Sequence, residues 1–393
     1  MAGGPGAYVF GEEETREVQD VCEAKYLFRY GTDPAFRRKV FQFEDAFKEK
    51  MNVSYSVATS SGTGSLMCCL AALGVGSGDE VIVPGYTFIA SISTILLMNA
   101  TPVLAEIDDS LTVDPKDIEK KITPKTKAIM VVHMLGNPCK MDEIMKIAQA
   151  HNLPVIEDCC QACGATYGGK RVGTIGAMGA FSLNFFKTIS SGDGGAVITN
   201  DFDLYERAFG FHDQGHKPNR TGVEVGNRKM LGMNMRMNEL TGAVALAQTR
   251  KLDDILDTLR TKKAKLKKLI SGIDGFKFRT INDEGECATL LTLLFDTKEL
   301  ADKFCAEIGS KTVSHSGWHV YNNMEQILCI DGGTRYQKHM LPATDDILER
   351  AVNVSVGVVD GGLGSAFGIN INSTDEEIEA VAAKIKEVMG KIK

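Results

Sequence analysis

The 393-residue chain lacks several features that would assign it to a class of protein at once. No apolar run approaches the roughly 18–20 residues that a membrane-spanning helix requires, so a membrane protein is not expected. Positive charge is not in excess. The net charge is −7 and the pI is near 5.6, which argues against a nucleic-acid-binding protein. Internal repeats and low-complexity tracts are also missing, so an ordinary globular protein remains.

The N-terminal stretch MAGGPGAYVFGEEE has no basic start followed by an apolar block, so a secretory signal is not expected. The leading MAGGPG is rich in glycine, and we expect it to be a flexible lead-in that contributes little to the fold. Without an export signal, the cytoplasm is the expected location.

The chain contains 10 cysteines, but their pattern predicts neither disulfides nor a metal site. Most lie in apolar segments, where reduced thiols are expected. The cluster CCQAC holds Cys159, Cys160 and Cys163, and a structural zinc site usually needs a second pair or added histidines. We therefore expect small residues that pack behind a sheet, and no metal.

Short apolar runs alternate with helical patterns from about residue 55 to 200. Asp114 followed by Pro115 predicts the start of one of these helices. Near-continuous apolar strands separated by helices are typical of an α/β fold, in which helices cover both faces of a sheet with parallel strands. Ligands of such sheets bind beyond the carboxyl ends of the strands. The predicted strands are residues 80–85, 101–108, 127–136, 153–158, 179–184 and 194–200.

The pattern changes beyond about residue 237. Apolar residues recur with helical spacing between Leu252 and Ile270, opposite a basic face, and they predict one long helix. We predict a large domain over residues 1–250 and a smaller one over residues 251–393, with the boundary at this helix. The smaller domain is predicted to contain strands within 288–295 and 351–359 and a last helix capped by Ser373 and Glu376.

Two fragments ahead of that boundary could bind a flat, phosphorylated ligand. TSSGTGSLMCCLAALG (59–74) opens an apolar helix with hydroxyls and glycines. Free N–H groups at such a helix start suit a phosphate, although the same residues also form ordinary caps. PGYTFIAS (84–91) places Phe88 just after a strand, where it either joins the core or lies against a flat ring.

A third fragment, VIEDCCQACGA, ends an apolar strand on two adjacent carboxylates, Glu157 and Asp158, with Gln161 three residues later. Adjacent strand residues point to opposite faces, so one carboxylate must point inward. A buried Asp needs a partner, and a protonated heterocyclic nitrogen is a suitable one. A helix cap is the alternative.

The fourth fragment, SLNFFKTISSGDGG, contains Ser182 and, after two phenylalanines, Lys187. We expect Phe185, Phe186 and Ile189 to be core residues. A lysine among them must reach solvent, pair or lose its charge, and an uncharged lysine is a nucleophile. A surface lysine in a turn is the alternative. Pyridoxal 5′-phosphate requires an amine, a carboxylate and a phosphate site together, and the four fragments supply them.

These fragments, with GMNMRMNELTGA, resemble the DegT/StrS-type sugar aminotransferases from about residue 10 to the C-terminus. The resemblance implies a fold type I pyridoxal phosphate-dependent transferase, with a mainly parallel sheet flanked by helices and a smaller C-terminal α+β domain. It implies that Lys187 bonds to the cofactor aldehyde and that Asp158 pairs with the ring nitrogen. The other implied contacts are Gln161 at the phenolic oxygen, Gly62, Thr63 and Ser182 at the phosphate, Phe88 on the ring, and Asn234 reaching the phosphate from the second subunit of a homodimer. For Asn234 a helix cap is the alternative.

The chain also departs from the family pattern. Asn184 stands where many members have His, and Asp193 stands where Glu is usual. SGWHVYNNMEQIL (316–328) replaces a Pro-Leu-His segment that serves nucleotide-linked sugars. The rest of the sequence is most similar to the branch that contains 8-amino-3,8-dideoxyoctulosonate transaminase. The resemblance therefore implies amino transfer, with glutamate as donor, to 8-oxo-3,8-dideoxyoctulosonate for lipopolysaccharide synthesis.

Three alternatives stay open. A nucleotide-linked ketosugar is the alternative acceptor. A pyridoxal phosphate-dependent sugar dehydratase is more remote, because that branch has histidine where Lys187 stands. A non-catalytic regulator would carry an added DNA-binding segment, and neither extra length nor a basic domain is present.

The polar loop FHDQGHKPNR (211–220) could supply charge-assisted hydrogen bonds to a substrate carboxylate. A solvated surface loop is the alternative, so its residues are not assigned to the site. The candidates are His212, His216, Lys217 and Arg220.

Overall fold

The structure is a computed structural model that describes residues 2–218, 226, 228 and 230–392. Arg220 of the polar loop lies outside the described residues. The α-helices are α1 (Pro5–Tyr8), α2 (Glu12–Ala24), α3 (Lys39–Met51), α4 (Gly62–Ala72), α5 (Ile89–Leu97), α6 (Pro115–Lys121), α7 (Met141–Ala150), α8 (Phe202–His212), α9 (Glu239–Arg250), α10 (Leu252–Ile270), α11 (Lys298–Ile308), α12 (Glu325–Leu328), α13 (Pro342–Glu349) and α14 (Asp375–Ile392).

Seven strands in the described part of the chain form one sheet, in the order β1-β9-β8-β5-β4-β2-β3. Its strands are parallel except β9, which is antiparallel to both of its neighbours. The predicted α/β class is confirmed. The strands are β1 (Tyr55–Thr59), β2 (Glu80–Pro84), β3 (Thr101–Ala105), β4 (Thr126–Val132), β5 (Val155–Asp158), β6 (Thr166–Tyr167), β7 (Lys170–Arg171), β8 (Met178–Ser182), β9 (Gly195–Thr199), β10 (Phe276–Phe278), β11 (Leu290–Phe295) and β12 (Ala351–Ser355).

The central strands are apolar throughout because both faces of the sheet are covered. In β4, Ala128 and Met130 join the core cluster formed with α4, α5 and α8. Ile129 and Val131 point the other way, into the cluster formed with α6 and α7. Each of the six predicted strands is present, and β1 was not specifically predicted. The run predicted over 127–136 ends early, because a 3-10 turn follows in which Leu135 has a left-handed φ of 55°.

The smaller sheet, β10-β11-β12, lies in the C-terminal part of the chain and packs against α10, α11 and α14. The predicted long helix is α10. We propose that the domain boundary lies beside Lys251, between α9 and α10. The last helix begins one residue later than predicted, because its capping box is formed by Thr374 and Glu377 instead of Ser373 and Glu376. No helix in the described ranges is long and apolar enough to cross a bilayer.

The expectation of a flexible lead-in at the N-terminus is wrong for the described residues. Residues 2–9, which we call the N-terminal strap, begin with Gly3 paired to Val359 and continue into α1. The stretch from Gly3 to Gly6 is buried. Glycine is frequent here because the backbone passes close to other backbone, and not because the segment is loose.

Candidate active site

The four fragments meet in one cavity of about 530 Å³ at the carboxyl ends of the parallel strands. Asp158 ends β5 and Ser182 ends β8, and Lys187 lies in the loop that follows β8. Of the predicted site residues, the lining contains Gly62, Thr63, Phe88, Asp158, Gln161, Ser182 and Lys187.

The start of α4 provides an anion site in this cavity. Ser61 caps the helix by accepting a hydrogen bond from the Gly64 N–H at 3.0 Å. The N–H groups of Gly62 and Thr63 belong to the first turn, where a helix has no internal partners for them. A Cβ on Gly62 would lie 2.6 Å from the Cβ of Ser182, so only glycine lets the end of β8 approach this helix start. Backbone N–H groups and the Ser182 hydroxyl can therefore hold a phosphate together.

Asp158 is a buried carboxylate without a cationic partner among the described residues. Its side chain accepts hydrogen bonds from the Ser91 hydroxyl at 2.7 Å and the Cys160 N–H at 3.0 Å. Ser91 is in turn bonded to the Thr87 hydroxyl at 2.7 Å. Neutral donors compensate a buried anion only in part, so a protonated ring nitrogen fits the remaining capacity of Asp158.

Glu157 is buried on the opposite face of β5, as the alternation of side chains along a strand predicts. His133 has its proton on Nε2, because its Nδ1 accepts from the Cys139 N–H. Glu157 therefore has a structural role and does not line the cavity. It accepts hydrogen bonds from His133 Nε2 at 3.0 Å and from the backbone N–H groups of Gly173 at 2.7 Å, Ile175 at 2.8 Å and Gly176 at 2.6 Å.

The Lys187 loop, residues 183–190, is less apolar than its sequence predicted. Ile189 is fully buried, but Phe185 is 37% exposed and Phe186 is half-buried in the cavity wall. The loop leaves the sheet beyond the end of β8, so only part of it reaches the core. The Lys187 N–H donates to the Asn184 carbonyl at 2.9 Å, which sets the turn that directs the lysine.

Trp318 and His319 also line the cavity, although sequence reasoning did not assign them to the site. The only signal was their position in the segment that departs from the family pattern. The Ser316 hydroxyl donates to the Gly362 carbonyl, so it accepts from His319 Nδ1 at 2.9 Å. Burial, together with the nearby charge of Lys187, lowers the pKa of His319 to about 3. His319 is therefore neutral, with the lone pair on Nε2, and its ring lies 5.4 Å from that of Phe88.

Asn234 is exposed and lies outside the lining of its own chain's cavity. It pairs with Asp213 in an isolated bridge. The alternative role of Asn234 as a helix cap is wrong, because Asn238 caps α9 by accepting from the Thr241 N–H at 3.0 Å.

The polar loop does not bring its histidines to the cavity. His212 is buried, with Nε2 3.1 Å from Arg29, and burial together with the Arg29 charge lowers its pKa to about 3. It cannot serve as the exposed cation that the sequence suggested. His216 and Lys217 line a separate cavity, and Lys217 pairs with Glu206 at 3.5 Å.

Comparison with known proteins gives consistent matches. Residues 9–359 match the DegT/DnrJ/EryC1/StrS aminotransferase family. GDP-perosamine synthase of Escherichia coli O157:H7 is 36% identical over 315 residues, which is 80% of this chain and 83% of that protein. L-glutamine:2-deoxy-scyllo-inosose aminotransferase of Micromonospora echinospora is 41% identical over 244 residues, but the match spans 60% of this chain and 57% of that relative. The X-ray structure of the aminotransferase from Psychrobacter cryohalolentis superposes with a TM-score of 0.82 at 29% identity, over 98% of both chains.

The fold and the cavity define a pyridoxal phosphate-dependent aminotransferase of fold type I. The chain belongs to the DegT/DnrJ/EryC1/StrS aminotransferase family and is a sugar aminotransferase of that family. The predicted family, enzyme class and cofactor are therefore confirmed. The octulosonate branch is a finer assignment than these relatives support.

The two adjacent carboxylates should respond differently to amide substitution. Glu157→Gln places an N–H₂ group against backbone donors, so we expect the free energy of unfolding to fall by about 2–5 kcal/mol. Asp158→Asn should preserve stability within about 1 kcal/mol but should strongly reduce the rate of amino transfer. Denaturant unfolding and single-turnover kinetics on both variants measure this. Equal destabilisation, or an unchanged transfer rate in Asp158→Asn, contradicts the assignment.

Lys187 should be the lysine that bonds to the cofactor. Borohydride reduction of the loaded enzyme should fix the cofactor to a single peptide that contains Lys187, identified by mass spectrometry. Lys187→Arg, which keeps the charge but has no primary amine, is the matched control and should show no label. Label on any other lysine of the unmodified enzyme contradicts the assignment.

Proposed function

We propose that this enzyme transfers an amino group from glutamate to the terminal carbonyl of 8-oxo-3,8-dideoxyoctulosonate, as a cytoplasmic step toward lipopolysaccharide. The convergence of Lys187, Asp158 and the α4 anion site in one cavity carries the amino-transfer chemistry. The unpaired state of the cysteines agrees with a cytoplasmic location. The sugar acid is supported by the charge of the lining and by the segment at residues 316–328.

Bound pyridoxal phosphate supplies an aldehyde carbon for the amino group and a ring that withdraws electrons from the reacting carbon. The first turn of α4 and Ser182 would hold the phosphate, and the Asp158 carboxylate would accept a hydrogen bond from the ring N–H. Lys187 Nζ would take a proton from the donor carbon, as general base, and deliver it to the former aldehyde carbon of the cofactor, as general acid. Phe88 would cover the ring, and Gln161 would lie at its phenolic oxygen. Trp318, stacked with Phe88 at a ring distance of 6.4 Å, limits the entry of water.

The charge of the lining favours an acceptor with few negative groups. Within the described part of the lining, Lys187 is the one cation, whereas Asp158, Asp193 and Asp360 are acidic. The diphosphate of a nucleotide-linked sugar requires more cationic partners than a single carboxylate does. His319 adds no positive charge but offers an acceptor, Nε2, to a sugar hydroxyl.

A nucleotide-linked ketosugar is the second candidate acceptor. GDP-perosamine synthase, whose name refers to such a sugar, is 36% identical over 80% of this chain. The same catalytic residues would serve that reaction, and only the contacts beyond the reacting carbon would differ.

A half-reaction separates the two acceptors. The enzyme is loaded with pyridoxamine 5′-phosphate, and the return of the visible absorbance is followed after each candidate acceptor is added. We expect 8-oxo sugar acids to react on the order of 100-fold faster than GDP- or UDP-linked ketosugars, because a polar site discriminates strongly against a mismatched partner. The reverse order establishes the nucleotide-linked acceptor instead.

We further propose that the active site is shared across a homodimer. Asn234 is flanked by Leu231 and Met233, which are 93% and 50% exposed, and the guanidinium of Arg236 in the same segment lies over the ring of Phe28, which is 47% exposed. Exposed apolar residues at this density are typical of an interface. An Asn234 side chain carried on that surface could reach the phosphate in the cavity of a second copy.

Subunit mixing tests the shared site. Lys187→Ala and Asn234→Asp homodimers should each be inactive. A mixed dimer has one site with both changes and one intact site, so roughly a quarter of all sites in an equal mixture should be active. Activity is measured after subunit exchange has been verified with differently tagged chains. No gain of activity in verified mixed dimers contradicts the proposal.

A further inference from the structure

We propose that the N-terminal strap positions Lys187 for catalysis and ties the Lys187 loop to the segment at residues 357–360. This inference rests on the proposed role of Lys187. No residue of the strap is among the described lining of the cavity. The strap therefore acts through the lysine loop, and its glycines are positioning residues.

The strap contacts the backbone of the lysine loop directly. The Gly4 N–H donates to the Phe185 carbonyl at 3.1 Å, and the Gly6 N–H donates to the Lys187 carbonyl at 3.4 Å. The second bond holds the peptide of Lys187 itself, whose own N–H is held by Asn184. Both backbone polar groups of the catalytic lysine thus have a fixed partner.

The close approach requires glycine in the strap. A Cβ on Gly4 would lie 2.3 Å from the carbonyl carbon of Phe186 and 2.6 Å from the carbonyl oxygen of Lys187. The obstructing atoms are backbone, so either the lysine loop or the strap must move. Either movement disturbs the hydrogen bonds from Gly4 to Phe185 and from Gly6 to Lys187, and so the support of Lys187.

The other side of the strap joins a second segment of the cavity wall. Gly3 and Val359 exchange two backbone hydrogen bonds, at 3.0 and 2.9 Å. Val359 lies between Val358 and Asp360, which both line the cavity. The strap thus bridges the wall that carries Lys187 and the wall that carries Asp360.

Beyond α1 the strap is anchored by a buried charged group. Glu14 is fully buried and accepts hydrogen bonds from Lys251 at 2.7 Å and from Gln248 at 2.8 Å. Gln248 also accepts from the Ser190 N–H at 3.1 Å, which is the far end of the lysine loop. The Gln248 side chain therefore connects Glu14 to the lysine loop.

Three alanine substitutions in and next to the strap form a graded test. In Gly4→Ala the methyl group meets backbone. In Gly3→Ala it meets the tip of the flexible Phe185 ring at 3.1 Å, and in Gly11→Ala the nearest atom is 3.9 Å away. For each purified variant we would measure the dissociation constant of pyridoxal phosphate, the midpoint of the pH titration of its visible absorbance, and the urea unfolding of the cofactor-free protein.

We expect Gly4→Ala to weaken cofactor binding at least about ten-fold and to shift the absorbance midpoint, since a displacement near 1 Å can cost about 100-fold in a positioned group. Gly3→Ala should have a smaller effect, and Gly11→Ala should match the unmodified enzyme. If the strap only stabilises the fold, Gly4→Ala should lower the free energy of unfolding and leave the absorbance midpoint of the folded protein unchanged. That result overturns the proposal.

If Gly4→Ala does not fold, a chain that begins at Gly4 still tests the proposed role of the strap. Its new N-terminus is acetylated so that no α-ammonium charge is added near Lys187. This chain loses the bond from the Gly3 N–H to the Val359 carbonyl and introduces no clash, so we expect the same shift in the absorbance midpoint at reduced size. An unchanged midpoint and dissociation constant in this shortened chain contradict the proposal. None of these readouts uses a sugar, so they are independent of the proposed acceptor. The borohydride labelling of Lys187 separately tests the role on which the inference rests.

Discussion

The carboxyl end of β5 sets the chemistry of the cavity, because it must bury two adjacent carboxylates. Two charges cannot share one apolar environment unless each is compensated. Strand geometry sends Glu157 and Asp158 to opposite faces, and the two faces solve the problem differently. Glu157 is fully compensated by four donors within the protein. Among the described residues, Asp158 receives hydrogen bonds from neutral donors alone, so it can still accept a hydrogen bond from a protonated ring.

Close approach of backbone is the second constraint on the site. The anion site needs the end of β8 to touch the start of α4, and Gly62 makes that possible. The Lys187 loop needs a support that leaves the cavity free, and Gly4 allows the strap to pass within hydrogen-bonding distance of it. In both places glycine serves contact between segments far apart in the chain, and flexibility is not its function.

Elements with a local sequence pattern could be predicted from the sequence, whereas contacts between distant segments could not. The strands around Asp158 have near-continuous apolar runs, and the helix from Leu252 to Ile270 has apolar residues at helical spacing, so both have strong local patterns. Seven of the eight predicted site residues line one cavity, because parallel strands bring their carboxyl ends to one edge. Glycine carries no such pattern. The order of the strap depends on partners near residues 187 and 359, which no local reading of the N-terminus contains.

Smaller differences between the predicted and observed structure also arise from contacts that the local sequence does not contain. The sequence predicts the capping box at Ser373 because Ser373 and Thr374 are both capping residues, whereas in the structure Thr374 and Glu377 form it. The sequence predicts Phe185 in the core because it is large and apolar, but its position beyond the end of β8 decides its exposure. The sequence predicts His212 to be a polar loop residue, whereas it is buried against Arg29, which lies far away in the sequence.

The charge of the cavity gives the proposed homodimer a physical reason. A donor amino acid carries at least one carboxylate, and the proposed acceptor carries another. Within the lining that the structure describes, Lys187 is the one cation, and in the proposed mechanism it is committed to the reacting carbon. Asp193 and Asp360 add negative charge to the lining, whereas Asp158 is proposed to pair with the cofactor ring, so these substrates require positive charge or hydrogen-bond donors from elsewhere. A second subunit that contributes Asn234 and its neighbours would supply donors at the place where this chain has too few, so the site would be complete only in the assembled dimer.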